Sequence, residues 1–416
     1  MIIFLIFEQW LMFHNNAEHQ GKSGAIGPVS SELLFKYELG SISSSSPVVY
    51  NDFVYVGSNS GALVAIKNGE EVWEFKTGGF ITTSPAVDDN GNLYVGSYDG
   101  KLYSLTNSGK KRWEFDAGSE IASSPTVYKD KVYFAADSIL YALSTNTGEE
   151  VFRYVTNGKI KSSPAIKDNF IGFGTWWPGP HQIYIITISG GNMQKKIISN
   201  GCVSSACWTN DTMFITTKEG KLYAFKSSGV LLWGFSIGAA ISSSPAVDGN
   251  GVYFGASDSS LYAVSKEGQV RWKYKTNGII ESSPAVDKDG NIFFGSTDSM
   301  FYALDKEGHF KWFYKTQNRI VSSPAIGAHG TVYFTSWDGC LYAIGPGAAI
   351  TEEEDIVNFI FIEGDVFNAP LDGDLFSVDG RALLHIKRGK NLLNSLSKGK
   401  YVFRSSNKNA YYLIKE

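Results

Sequence analysis

Hydrophobic positions alternate with polar ones in short runs. Between Leu231 and Val264 four such runs follow one another: Leu231 to Phe235, Ile241 to Val247, Val252 to Gly255 and Leu261 to Val264. Each is rich in aromatic and β-branched residues and is bounded by Gly, Asp, Asn or Lys-Glu-Gly, the residues that tight turns require. Each run therefore predicts one strand. No apolar stretch reaches eighteen residues, so no membrane-crossing helix is expected.

The four-part pattern recurs along the chain. A Ser-Ser-Pro step or a close variant stands at Pro47, Pro85, Pro125, Pro164, Pro245, Pro284 and Pro324, at intervals near forty residues apart from one double gap. That gap holds a further copy, Val203 to Cys207, with Cys207 read at the proline position. The fourth run of the pattern, as in Tyr103-Ser-Leu and Tyr302-Ala-Leu, occurs eight times. Four antiparallel strands per repeat in eight repeats predict an all-β fold, an eight-bladed β-propeller over residues 33–345. The last repeat ends at Ile344 without its outer run, whereas Leu33 to Tyr37 precedes the first. The N-terminal strand is thus expected to close the ring by completing the last blade, which removes exposed sheet edges.

The repeat also explains most of the aromatic residues. Trp73, Trp113, Trp233, Trp272 and Trp312, with Phe35 and Phe152 in register, recur once per blade and are read as packing between neighbouring sheets. The Asp-rich turns Asp88 to Asn92 and Asp287 to Asn291 are read as turns that need positive backbone dihedrals, not as calcium sites. Paired serines such as Ser123-Ser124 and Ser282-Ser283 are expected to bond strand backbone near the axis.

Composition narrows the function classes. With 43% hydrophobic and 19% charged residues in 416, the chain can bury a large core, and a net charge of −4 gives no broad grip on nucleic acid. Three cysteines, Cys202, Cys207 and Cys340, form neither a disulfide framework nor a zinc-type pair. Six histidines are scattered without metal-ligand spacing, and no Gly-x-Ser-x-Gly elbow is present. No catalytic residue, metal or cofactor is expected.

The cycle Gly-x-Ile-x-Ser-Ser-Pro, Val-Tyr-Phe-Gly-Ser, Leu-Tyr-Ala-Leu-x-x-x-Gly-x-x-x-Trp resembles the PQQ-like, or quinoprotein-type, β-propeller repeat. In its dehydrogenases the resemblance implies adjacent cysteines over the quinone, a bound calcium and an Asp base. Here Cys202 and Cys207 lie five apart. The non-enzymatic branch, which includes an outer-membrane assembly lipoprotein and secreted propellers, is the better match. Residues 1–32 form a lead-in: Met1 to Phe7 is either the remnant of a signal peptide or a buried strand, and Trp10 to Ser23 is similar to the segment before the first blade in exported members. A place in the cell envelope or outside the cell is implied.

Residues 346–379 carry nine acidic side chains and no Lys or Arg, whereas 380–416 carry nine Lys or Arg and one acid. Alternating runs at Asp374 to Arg381, Leu396 to Arg404 and Ala410 to Glu416 predict a small β-sandwich-like domain over 346–416. Asp379-Gly-Arg381, Leu396 to Tyr401 and Ile414-Lys415 resemble a type IX secretion sorting domain, which implies contact with secretion machinery.

Blade four departs from its own repeat. Ten residues instead of seven separate its Gly from its aromatic, through Thr175-Trp176-Trp177-Pro178-Gly179-Pro180-His181, and the next blade is read with Lys195 at the docking-Trp position and Cys207-Trp208 for Pro-Ala. Trp176, Trp177, His181 and Trp208, with Trp337 and Tyr98 from equivalent loops, form a candidate aromatic mouth for a protein or glycan. The competing reading is that the two tryptophans cover a weakened blade interface. Lys161 and Glu281 occupy matching positions before Ser-Ser-Pro and could both point into the mouth. The expected function is an exported, non-catalytic, monomeric scaffold. The alternatives are a PQQ-dependent alcohol or sugar dehydrogenase and an outer-membrane protein assembly scaffold.

Overall fold

The computed structural model describes residues 9–177, 181–189 and 201–345 in full, and 194–197 and seven strands between 359 and 415 by their backbone. Met1 to Phe7 and Pro178 to Pro180 lie outside the described residues, as do the side chains of the sorting-type motifs.

Each repeat folds into one antiparallel four-stranded sheet, eight in all. The first blade runs Val48–Tyr50, Phe53–Gly57, Ala62–Lys67 and Glu70–Lys76 from inner to outer strand. The last is built from Ala325–Ile326, Val332–Ser336 and Cys340–Ile344, and its outer strand is the N-terminal Leu33–Glu38. The ring therefore closes between sequence-distant strands, as the missing outer run of the last repeat predicts. Inner and middle strands are buried on both faces, and outer strands alternate between exposed and half-buried positions.

The once-per-blade tryptophans lie where one sheet meets the next. The Trp73 indole N–H donates to the carbonyl of Asn107, Trp233 to Lys266 and Trp272 to Lys306, each in the outer turn of the following blade. Each ring lies against the turn's glycine: at Gly109, φ is +79° and a Cβ would stand 2.6 Å from Trp73, so only glycine fits twice over. Trp312 has no such turn to meet, because the last blade borrows its outer strand, and it bonds the Pro28 carbonyl instead.

Serines bind the blades together at the axis. The N–H of Ser84 donates to the Ser124 hydroxyl at 3.0 Å, Ser124 to Ser163, Ser163 to Ser205, Ser205 to Ser244, Ser244 to Ser283, Ser283 to Ser323, and Ser323 to Ser46 at 2.9 Å. In several blades the serine one place earlier turns back on its own blade, as Ser123 does with both N–H and C=O of Ala135, Ser162 with those of Gly174 and Ser322 with those of Thr335.

The residues before the ring are part of it. Trp10 pairs with Val49; Leu11, Ala17, Glu18, Gln20 and Gly21 accept the N–H groups of Val87, Ile166, Trp208, Val247 and Val286. Those donors occupy one position of successive inner strands and face the axis, where no further strand exists to pair them. His19 reaches blade three through Thr126 at 3.0 Å. A segment bonded to inner edges around the whole circle must lie inside it, so residues 10–27 fill the axis beyond the serines, on the side of the inner hairpin turns.

Residues 346–416 make a second compact unit. Its five-stranded sheet runs Phe359–Ile362, Ala410–Lys415, Gly399–Ser405, Gly373–Ser377, Ala382–Ile386, with the first pair parallel, and Val366–Ala369 pairs with Gly389–Leu392.

Candidate functional site

The rim of the mouth is built by one recurring backbone bond. The loop between the second and third strands donates an N–H to the turn that leads into Ser-Ser-Pro: Tyr98 to Phe80, Trp176 to Lys159, Trp337 to Arg319, with Asn59 to Ile42, Ser257 to Ala240 and Thr297 to Ile279 in the same role. Both loops thus lie on one face, and these six blades each offer a pair of side chains at the rim.

Among these pairs, Phe80 stacks at a tilt on Tyr98 at 6.3 Å, and the Arg319 guanidinium lies 3.5 Å over the Trp337 ring. The indole N–H of Trp337 donates to the Ser44 hydroxyl. Trp337 is therefore a covered ring, not an open stacking face. Trp176 is half-buried against Gly201 and beside His181 (ring centroids 6.2 Å), which seals the seam between blades four and five. Trp177 is 67% exposed. The two tryptophans of this loop differ in environment: Trp176 covers the interface, whereas Trp177 stands exposed. Tyr98, Trp176 and Trp337 stand on blades two, four and eight, so the aromatic positions ring the mouth without forming one cluster.

Three expectations are corrected. Trp208 is not at the mouth; it is fully buried, with its indole N–H on the Ala165 carbonyl at 3.1 Å and its ring against Phe170 and Met213. Strand register explains this. Cys207–Thr209 is the inner strand, equivalent to Ala165–Lys167, so Ala206 takes the proline position, Cys207 the alanine position, and Trp208 the inward place of Ile166. The Ser-Ser pair is Ser204-Ser205, and Cys202 replaces the isoleucine that elsewhere packs on a strand glycine: a Cβ on Gly174 would meet Cys202 as one on Gly96 would meet Ile121. In the outer strand of blade four, Gln194 pairs with Ile185 as Trp233 pairs with Ala224, so Gln194, not Lys195, holds the docking position. Trp208 fills from blade five the seam that blade four's outer strand leaves without a tryptophan.

Lys161 and Glu281 are both exposed, on blades four and seven, and form no ion pair with one another. The sequence reading missed Phe80, Ile42, Ile279 and Arg319. All occupy the residue paired to the rim loop, which varies from blade to blade while its neighbours repeat, and that variation was the available signal.

The quinone and calcium of related enzymes do not fit these residues. Cys202 and Cys207 are fully buried in the blade seam, with burial pushing the Cys202 thiol up to about 12. The buried carboxylates are spent on their own turns: Asp88 accepts from Asn90, Asn92 and Tyr94, and Asp287 from Asp289, Asn291 and Gly27. Among the described residues no three His, Cys, Asp or Glu side chains are grouped to hold a metal. A cavity of about 360 Å³ lies on the opposite face between blades two and three, and Asp88, already committed, is part of its wall.

Fold and repeat chemistry define the class, a PQQ-type eight-bladed propeller. The family described as outer membrane protein assembly factor BamB matches residues 62–171 and 188–347, and the chain belongs to it. No curated protein matches. Among solved structures the chain is similar to BamB from Moraxella catarrhalis (17% identity, TM-score 0.64, 76% of this chain and 99% of that one). It is also similar to quinohemoprotein alcohol dehydrogenase ADHIIG from Pseudomonas putida HK5 (14%, 0.72, 84% and 82%) and to the computationally designed Ika8 protein (16%, 0.65, 76% and 99%). At these identities the likeness is one of fold.

Proposed function

We propose that the protein is a non-catalytic propeller of the cell envelope or exterior that presents its mouth to a protein or glycan. The observation that carries this is the asymmetry of the two ends. One end of the axis is filled by the chain's own residues 10–27, while the other carries exposed Trp177, Phe80, Ile42 and Ile279 beside the backbone bonds of the rim. Exposed aromatic rings suit stacking and hot-spot contacts.

The test is binding of the intact protein to a glycan array and to surface-exposed envelope proteins, with Trp177→Ala and Phe80→Ala. Loss of a specific interaction in both variants, with an unchanged melting curve, supports the reading; binding indifferent to both overturns it. Family membership favours a second reading, a scaffold in outer-membrane protein assembly, in which the same rim would grip an assembly component. Titration with PQQ and calcium, read by tryptophan fluorescence and dye-linked alcohol oxidation, addresses the dehydrogenase alternative: saturable binding with turnover would make the protein an enzyme. Residues 346–416 are proposed to serve export or attachment.

A further inference from the structure

Below the rim and above the serine belt, each blade places one side chain just before its Ser-Ser pair. Six of these eight are neutral, Ser44 and Thr82 among them; two are charged, Lys161 on blade four and Glu281 on blade seven. The eightfold repeat puts both at one height. Both are exposed, and neither has a hydrogen bond or ion pair among the described residues. Nearby lysines are already engaged: Lys159 pairs with Asp137 at 3.0 Å, and Lys218 bonds Ser242.

The floor beneath them is rich in hydrogen-bond donors. Belt hydroxyls such as Ser124, Ser163 and Ser244 accept a neighbour's N–H and have no acceptor for their own proton. Among the described residues the Ser84 hydroxyl accepts no neighbour's N–H at all. Two opposite charges over a donor floor suit a ligand with an ammonium at one end, a carboxylate at the other and carbonyl oxygens between. A simple ion would leave one protein charge unanswered.

We propose that the floor of the mouth binds a zwitterion of the amino acid or short-peptide class, its carboxylate on Lys161 and its ammonium on Glu281. This rests on the reading of the mouth as the binding face and names a ligand class for it. The probes are glycine, triglycine and pentaglycine, titrated calorimetrically into the full chain at low salt, with N-acetylated and C-amidated forms of the best binder. The expected result is one preferred length, which separates a free amino acid from a peptide as the source. Blocking either terminus should weaken binding about tenfold, as should Lys161→Ala or Glu281→Ala. Exchanging the charges, Lys161→Glu with Glu281→Lys, should restore affinity by reversing the ligand's orientation. Both side chains are exposed, so melting curves should not move. Absence of binding at every length, or binding indifferent to the blocked termini or to both substitutions, overturns the proposal. Because Trp177→Ala leaves these two charges in place, a silent titration beside a Trp177-dependent partner sinks the zwitterion site alone.

Discussion

Trp176 and Trp177 are neighbours in sequence and opposites in environment, and the difference is testable by stability alone. Trp176→Ala should lower the urea midpoint, because its ring fills the space over Gly201, whereas Trp177→Ala should leave it unchanged. Trp208→Ala should be costlier than either. It removes a fully buried indole from a seam to which the outer strand of blade four supplies no tryptophan, a loss of about 3–5 kcal/mol. A docking indole can be dissected similarly: Trp272→Phe keeps much of the packing on Gly308 but forfeits the bond to Lys306, a loss of about 1 kcal/mol in chemical denaturation.

At the scale of elements, the N-terminal segment brings two histidines into the axis. His14 stacks on Phe13 at 4.4 Å with its Nδ1 near the His19 carbonyl, and both imidazoles are buried. Burial, which disfavours the imidazolium, lowers the His14 pKa to about 4 and the His19 pKa to about 3, the latter helped by repulsion from His14. The unfolded chain binds protons near the ordinary value of 6.5 and the folded one does not. Stability is thus fully present above that value, falls as pH drops toward 4, and levels off below about 3. The full loss should be on the order of 3 kcal/mol for His14 and about 5 kcal/mol for His19. Urea midpoints measured from pH 7 to 4 should show this slope, and His14→Gln should reduce it, leaving the share of His19; a flat profile in the parent protein would mean that the segment does not hold these rings in the axis.

For the whole molecule, the division at 345/346 predicts that a chain ending at Gly345 keeps the cooperative unfolding of the propeller. The same truncation tests the sorting reading of the tail: if the shortened protein still reaches the cell surface, residues 346–416 are not the export signal. Removing residues 9–38 should do the reverse, because it takes away both the axial segment and the strand that closes blade eight, and aggregation through the opened edge is expected.

The sequence by itself determined the strand pattern, the number of blades, the closing role of Leu33–Glu38 and the packing role of the tryptophans. Those features repeat, and repetition makes local physics legible: a strand alternates, a turn needs glycine, and a docking ring returns every forty residues. Tertiary structure alone decided the rest. Residues 10–27 have no period, and their partners are the free N–H groups of inner edges that converge only once the circle has closed. Whether Ala206 or Cys207 follows the serines depends on which serine hydroxyl meets the neighbouring blade's N–H, a register set across the axis. Trp208 looked like part of an aromatic mouth because sequence places it beside a drifted loop; strand alternation turned it inward, into the seam that the outer strand of blade four leaves without a tryptophan.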